Sequence, residues 1–192
     1  MRPAAAGLVA GPVALTSTWA VLGRRAPGYS PVREPVSRLA GVGAGTRRAM
    51  SAGFLAYALA VGAGSAALVR RPGTGASGDA GLVSPGAALA TAVGTLGLAA
   101  FPLDWSRGDG AHVAVAAATY AALAAAPLTA APGLRRLRRN GASRAAVAAG
   151  VATAAAFVAS RTVPERQGLF QRIGLCISHG WIAGAGVAAL RA

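Results

Sequence analysis

Lysine is absent from this 192-residue sequence and acids are few, since 19 arginines stand against five carboxylates and give a formal net charge of +14. Only 12% of the residues are charged and 5% are aromatic, whereas 54% are hydrophobic. So few polar side chains do not cover a water-facing surface, and the composition excludes a soluble globular domain. The single cysteine, Cys176, excludes an internal disulfide and a cysteine-rich metal site.

The excess of positive charge is as large as in nucleic-acid-binding proteins, but its distribution along the sequence differs from theirs. The arginines stand in short clusters between long uncharged runs of alanine, glycine, valine and leucine. Connections between membrane spans have this layout, whereas a nucleic-acid-binding domain gathers its charge on one face. We therefore expect a membrane lipid as the partner and no nucleic acid.

Six apolar runs are long enough to cross a bilayer, whose hydrocarbon core of about 30 Å requires about 20 residues of helix. Charged or Pro/Gly-rich breaks separate these runs. The runs cover residues 4–23, 50–69, 81–103, 111–131, 145–163 and 169–190. The predicted fold is an all-α polytopic bundle of six transmembrane helices, one domain over residues 1–192, with a short interfacial helix between the first two spans.

The orientation rests on one arginine cluster, because the total number of arginines is similar on the two sides. Arg135-Arg136-Leu137-Arg138-Arg139 is the densest cluster, occupies a short connection and has no acidic neighbour. Positive charge in short connections favours the cytoplasmic side. We therefore predict a multi-pass protein of the cell membrane with both termini in the cytoplasm and with the first, third and fifth connections facing outward.

Four of the five acids lie in these three outward connections. Asp104 ends the third span and His112 begins the fourth, so the two flank a tight turn and can meet. Ionisable groups at membrane depth are candidates for function. The candidate catalytic residues are Asp104, His112 and, in the fifth connection, Glu165. The competing structural interpretation makes Asp104 a cap or an ion-pair partner of Arg172.

A second histidine lies deeper. His179 is ten residues past Leu169, about 15 Å along the last helix, and shares a face with Arg172 and Cys176. It is either a buried, hydrogen-bonded histidine or a residue with a ligand-binding or proton-transfer role. Neither of the two histidines belongs to a metal-ligand motif, so we predict no metal and no cofactor.

The aromatic side chains also concentrate at the predicted outward end. A cavity that opens at that end, lined by aromatics and closed by the first connection, accounts for the asymmetry. The predicted binding residues, polar or aromatic side chains at this end or on the last helix, are Tyr29, Ser37, Arg38, Phe101, Trp105, Gln171, Arg172, His179 and Trp181.

Five short motifs resemble those of a known membrane family. They are Pro27-Gly28-Tyr29-Ser30-Pro31, Val36-Ser37-Arg38-Leu39-Ala40, Phe101-Pro102-Leu103-Asp104, His112 and Gly168-Leu169-Phe170-Gln171-Arg172. In this order the chain resembles the six-helix family called domain of unknown function 998, itself similar to the Frag/DRAM group. The resemblance covers nearly the whole chain and implies a membrane fold. The family commonly has an acid where Arg38 stands and often glutamate where Gln171 stands.

Three functions follow from these residues as hypotheses. The first is a membrane protein whose outward-facing cavity binds a lipid or isoprenoid, with Arg38 or Arg172 meeting an anionic head group. The second is an intramembrane enzyme in which Asp104 acts as general acid on a hydrophobic substrate, as in terpenoid cyclisation or lipid modification, while His112 or Glu165 orients it. The third and weaker one is a small transporter. The sequence sets no oligomeric state.

Overall fold

The computed structural model describes residues 2–69, 82, 84–104, 106 and 108–191. These residues form six α-helices and two short 3₁₀ helices, with no strand among them. The α-helices are α1 (Arg2–Arg25), α2 (Arg47–Val69), α3 (Pro85–Ala100), α4 (Gly110–Arg136), α5 (Asn140–Thr162) and α6 (Gln167–Arg191). The 3₁₀ helices are Val36–Ala40 and Pro164–Arg166.

Every described α-helix except α3 is long and apolar enough to cross a membrane. The predicted class, an all-α polytopic membrane bundle, is confirmed. The α3 helix has 16 residues, about 24 Å of helix, and is shorter than the predicted span 81–103. Ser84 caps its start, and Phe101 leaves the helical conformation because the residue before a proline is disfavoured in it.

The six helices close into a ring. Each helix packs against the next one along the chain, and α6 returns to pack against α1. The interior of the ring holds one main core of buried side chains from all parts of the bundle, among them Leu8, Tyr57, Val61, Leu123 and Ile182. This arrangement places the chemistry-bearing side chains of α4 and α6 on either side of a common interior.

Glycine brings α1 and α2 close together. A side-chain carbon at Gly7 would collide with the Ala60 carbonyl group, and one at Gly11 would lie 2.7 Å from the Val61 side chain. The similarly spaced Gly180 and Gly184 on α6 have no atom within 4 Å of such a carbon. The first pair therefore serves close helix packing inside the bundle, whereas the second pair does not.

This difference gives a matched test of helix packing. We expect Gly7→Leu to lower the stability of the purified protein by about 1–3 kcal/mol, because the added side chain must push α1 away from the backbone of α2. Gly180→Leu is the control and should leave stability unchanged or slightly raised, because leucine has the higher helix propensity. Thermal unfolding in detergent measures both variants, and equal losses would contradict the assignment.

The first connection folds over one end of the ring. The predicted short helix between the first two spans is present as the 3₁₀ helix Val36–Ala40, but it is largely buried against α1, α2 and α6 rather than lying at the surface. The Leu169 amide donates to the Val32 carbonyl over 2.9 Å, and the Val42 amide donates to the Leu103 carbonyl over 2.9 Å. The first, third and fifth connections therefore meet at one end of the bundle.

Candidate functional site

A narrow central cavity lies inside the ring near this end. Its volume is about 30 Å³, enough for about one water molecule or a group of similar size. Apolar side chains such as Leu15, Phe54 and Leu175 form part of its wall. Its polar or amphipathic lining residues are Trp19, Ser37, Tyr57, Thr95, His112, Thr119, Tyr120, Gln171 and His179.

A much larger groove runs between α4 and α5. Its volume is about 590 Å³, within the range of sites that hold small molecules. Val113, Ala116 and Ala117 form its α4 wall, and Phe157 and Val158 form its α5 wall. Val158 is 63% exposed, so the groove opens on the outer surface of the bundle.

The polar end of the groove lies at the connections. Its polar or charged residues there are Asp109, Arg161, Thr162 and Gln167. Arg161 is exposed, and it belongs to the last turn of α5. The groove therefore joins apolar walls to a polar mouth, the arrangement that suits an amphiphilic molecule.

The groove and the central cavity adjoin. Ser37 from the first connection, His112 and Tyr120 from α4, and Gln171 from α6 line both spaces. Three of them, Ser37, His112 and Gln171, were predicted site residues, and the structure brings them together from three separate parts of the chain. We call these four side chains the shared wall.

Gln171 holds the shared wall in place. Its Oε1 accepts a hydrogen bond from the Val36 amide over 2.6 Å, and its Nε2 donates to the Tyr120 hydroxyl. The Tyr120 ring stacks on Phe157 with ring centroids 4.0 Å apart. The Gln171 amide on α6 therefore links the first connection to Tyr120 of α4, and the Tyr120 ring links α4 to α5.

His112 has one ring nitrogen in use. Its Nδ1 lies 2.8 Å from the Phe101 carbonyl oxygen. A carbonyl only accepts, so Nδ1 carries the hydrogen, and in the neutral ring Nε2 keeps its lone pair. The same ring lines the central cavity and the groove, and hence His112 offers a hydrogen-bond acceptor to a molecule in either space.

His179 lies at the inner side of the central cavity. Its Nδ1 is 3.1 Å from the Thr16 hydroxyl, and its ring lies 5.1 Å from the ring of Tyr57. Tyr57 in turn shares a 3.0 Å hydrogen bond with Thr91. His179 is therefore a buried, hydrogen-bonded histidine, which is one of the two interpretations predicted from the sequence. It also lines the central cavity.

Arg172 donates hydrogen bonds to the backbone of the first connection. Its Nη1 donates to the carbonyl oxygens of Pro31 at 2.5 Å, Glu34 at 3.1 Å and Gly168 at 2.9 Å. Its Nη2 donates to the Tyr29 hydroxyl. Arg172 contacts Glu34 through the backbone carbonyl, and among the described residues it forms no ion pair with Asp104, contrary to the structural interpretation from the sequence. Arg172 lines neither the groove nor the central cavity.

Tyr29 and Arg38 lie apart from the groove. The Tyr29 hydroxyl contacts the carbonyl oxygens of Glu34 and Pro35. Burial raises the pKa of Tyr29, and the neighbouring Arg172 only partly offsets this effect. Arg38 pairs with Glu34 over 3.1 Å. Both predicted binding residues line a separate surface pocket of about 430 Å³ on the first connection.

Asp104 also lies apart from the groove. With Phe101 and His112 it lines a surface pocket of about 520 Å³ at the outer end of α3 and α4. One oxygen of its carboxylate accepts from the Ser106 amide at 3.0 Å and from the Ser106 hydroxyl at 2.6 Å. These bonds match the structural interpretation, with Asp104 capping a turn.

The remaining predicted residues do not join the shared wall. Glu165 is exposed in the second 3₁₀ helix. Trp181 donates from its indole nitrogen to the Leu82 carbonyl over 2.5 Å, near the start of α3 at the opposite end of the bundle. Trp105 lies outside the described residues. The structure thus gives no position beside the groove to Glu165 or Trp181.

Two residues of the site were missed from the sequence. Tyr120 follows His112 by eight residues, a spacing that puts both near one face of α4, and this signal was available. Arg161 stands near the end of the predicted span 145–163. Nothing in its immediate sequence marks it as the cation at the mouth of a groove.

Comparison with protein families gives one match. Residues 8–188 match the family described as protein of unknown function, DUF998. The chain belongs to the DUF998 family. Neither the curated proteins nor the solved structures include a match to this DUF998 chain. In this DUF998 chain the side-chain amide of Gln171 accepts a hydrogen bond from the Val36 amide and donates one to the Tyr120 hydroxyl. An ionised carboxylate at this position only accepts and could not make both hydrogen bonds.

Proposed function

We propose that this protein binds a lipid or an isoprenoid in the groove between α4 and α5. The observation that carries the proposal is the groove itself, about 590 Å³ with apolar walls and an opening on the outer face of two long apolar helices. In a membrane that face borders hydrocarbon chains, so an amphiphile reaches the groove without leaving the bilayer. Small side chains such as Ala116 and Ala117 leave room for it.

The polar mouth supports a specific placement of the ligand. Arg161, Thr162 and Gln167 lie at the end of the groove where the helices leave the apolar region. A head group placed there keeps its hydration while its chain lies along Val113 and Val158. Arg161 lines the groove, whereas Arg38 and Arg172 do not and are engaged elsewhere.

Binding is better supported than general-acid catalysis. Catalysis by Asp104 would require its carboxylate within hydrogen-bond reach of the ligand. Asp104 lines the outer surface pocket and caps the turn at Ser106, whereas the groove is lined by Asp109 and His112. The geometry therefore favours a binding protein as the conclusion.

Filling the groove tests this function. We expect Ala117→Phe to reduce the amount of lipid or isoprenoid that co-purifies with the protein by on the order of tenfold, because the new ring occupies the space of the chain. Mass spectrometry of organic extracts from equal amounts of purified protein measures the bound molecule. The circular-dichroism spectrum and the melting temperature should stay close to those of the wild type.

Ala118→Phe is the matched control. Ala118 is the next residue on α4, is also exposed, and does not line the groove. It should retain the wild-type amount of bound molecule. Equal retention by both variants, or equal loss from both, would contradict binding in this groove.

A further inference from the structure

We infer that the molecule bound in the groove carries a hydroxyl group, and that the shared wall recognises this group. The inference rests on the proposed function and adds the chemical class of the ligand, a long-chain or isoprenoid alcohol. It starts from the side chains around the central cavity that keep unused hydrogen-bonding capacity among the described residues.

Unused hydrogen-bonding capacity lies around the central cavity. The indole nitrogen of Trp19 is buried without a partner among the described residues. The Tyr120 hydroxyl accepts from Gln171, and its own hydrogen has no acceptor among the described residues. Ser37 is buried and lines both spaces. Buried polar groups nearly always have a partner, so the indole nitrogen of Trp19 calls for one from outside the chain.

The unused groups include both hydrogen-bond donors and an acceptor. Trp19 and Tyr120 offer hydrogens, Ser37 offers or accepts one, and Nε2 of His112 accepts one because Nδ1 holds the hydrogen bonded to Phe101. A hydroxyl group satisfies a donor and an acceptor at once. A carbonyl or ether oxygen only accepts and leaves His112 without a partner. The lone pair of His112 would repel an anionic head group, and the shared wall contains no arginine that would balance its charge.

The sizes of the two spaces agree with this assignment. The central cavity, at about 30 Å³, admits a hydroxyl-sized group and no chain. The adjoining groove, at about 590 Å³, holds the chain. The shared wall is the place where a chain in the groove brings its polar end to the cavity.

A ligand series with one chain tests the inference. The probes are farnesol, farnesyl methyl ether, farnesyl monophosphate and the hydrocarbon farnesene, each titrated into the full-length protein in detergent by isothermal calorimetry. We expect farnesol to bind about tenfold more tightly than the ether and the hydrocarbon, the effect of one well-formed neutral hydrogen bond. Tightest binding of the monophosphate, or equal binding of farnesol and its ether, would overturn the inference. The second result would mean that water alone fills the cavity.

Two variants identify the groups that recognise the hydroxyl. His112→Asn keeps an amide nitrogen near the position of Nδ1 and so keeps a donor for the Phe101 carbonyl, but it removes the acceptor at Nε2. Tyr120→Phe keeps the ring that stacks on Phe157 and removes the hydroxyl. His112→Asn should bring the affinity for farnesol down to that for the ether while the affinity for the ether stays the same. Tyr120→Phe removes a donor that either oxygen can use, so it should weaken farnesol and the ether alike. An unchanged preference for farnesol in His112→Asn would refute the inference.

The groove-filling variant separates this inference from the proposed function. Ala117→Phe should weaken all four probes alike, because they share the chain. If Ala117→Phe weakens them while farnesol and its ether bind equally, the groove is a binding site and the hydroxyl inference fails. If Ala117→Phe leaves every affinity unchanged, the proposed function fails, whatever the order of the four probes.

Discussion

Replacing Arg172 by methionine is expected to lower the stability of the protein in detergent by about 3 kcal/mol or more. Arg172 is buried and donates hydrogen bonds to the carbonyl oxygens of Pro31, Glu34 and Gly168. A hydrogen bond from a charged group contributes about 1.5–3 kcal/mol, and loss of the donor leaves buried acceptors without a partner. Methionine preserves most of the side-chain length, so the loss reports the hydrogen bonds.

Two controls define the cause of the loss. Arg166→Met changes an exposed arginine nearby and should alter stability by less than about 0.5 kcal/mol. Asp104→Asn tests the ion pair that the sequence suggested, and because Asp104 is not a partner of Arg172 it should not reproduce the loss. Denaturant or thermal unfolding of the three variants measures the differences. A small loss in Arg172→Met, or a comparable one in Asp104→Asn, would contradict the assigned contacts.

A cysteine at position 45 is expected to react with a membrane-impermeant maleimide in intact cells. The prediction follows from the arginine cluster at residues 135–139, which favours the cytoplasm and therefore places the first connection outside. Gly45 is exposed and has open space where a side chain would begin. Gly43 is less suitable because its φ of +84° strains any other residue.

Gly141→Cys provides the matched position at the opposite end. Gly141 also has open space around it and begins α5 next to the arginine cluster. In a Cys176→Ser background, Gly45→Cys should label before lysis and Gly141→Cys only after lysis. The reverse pattern would invert the orientation of the termini, and labelling of both in intact cells would contradict a membrane barrier between these two ends.

The helices could be predicted because their signal is local. Long apolar runs between arginine clusters predict spans, and Pro102 after Phe101 explains why α3 ends early. The rotation of each helix could not be predicted in the same way. Alanine and glycine occupy both the buried and the exposed faces, so the sequence carries little periodicity to say which residues face the ring interior.

The site was predictable where polar residues stand in the outward connections or at the adjoining helix ends. Ser37, His112 and Gln171 were predicted on this ground, and they meet in the shared wall. The contacts of Arg172 could not be predicted, because two of its partners are backbone carbonyls of an irregular connection and a carbonyl group is the same in every residue. Trp181 and the groove lie at opposite ends of the bundle. This separation follows from the position of Trp181 along α6 and the rise of the helix per residue, and the chemistry of the side chain does not indicate it.

The closure of the ring by α6 against α1 has a consequence for how the protein is made. Ribosomal synthesis delivers α1 first and α6 last among these helices, so Trp19 and Thr16 enter the bilayer long before Arg172 and His179 reach them. Arg172 and the carbonyl oxygens that it binds remain without each other until α6 has docked. The shared wall, to which α6 contributes Gln171, is therefore completed only in the final step of assembly, and a chain that stalls before that step exposes unpaired polar groups to lipid.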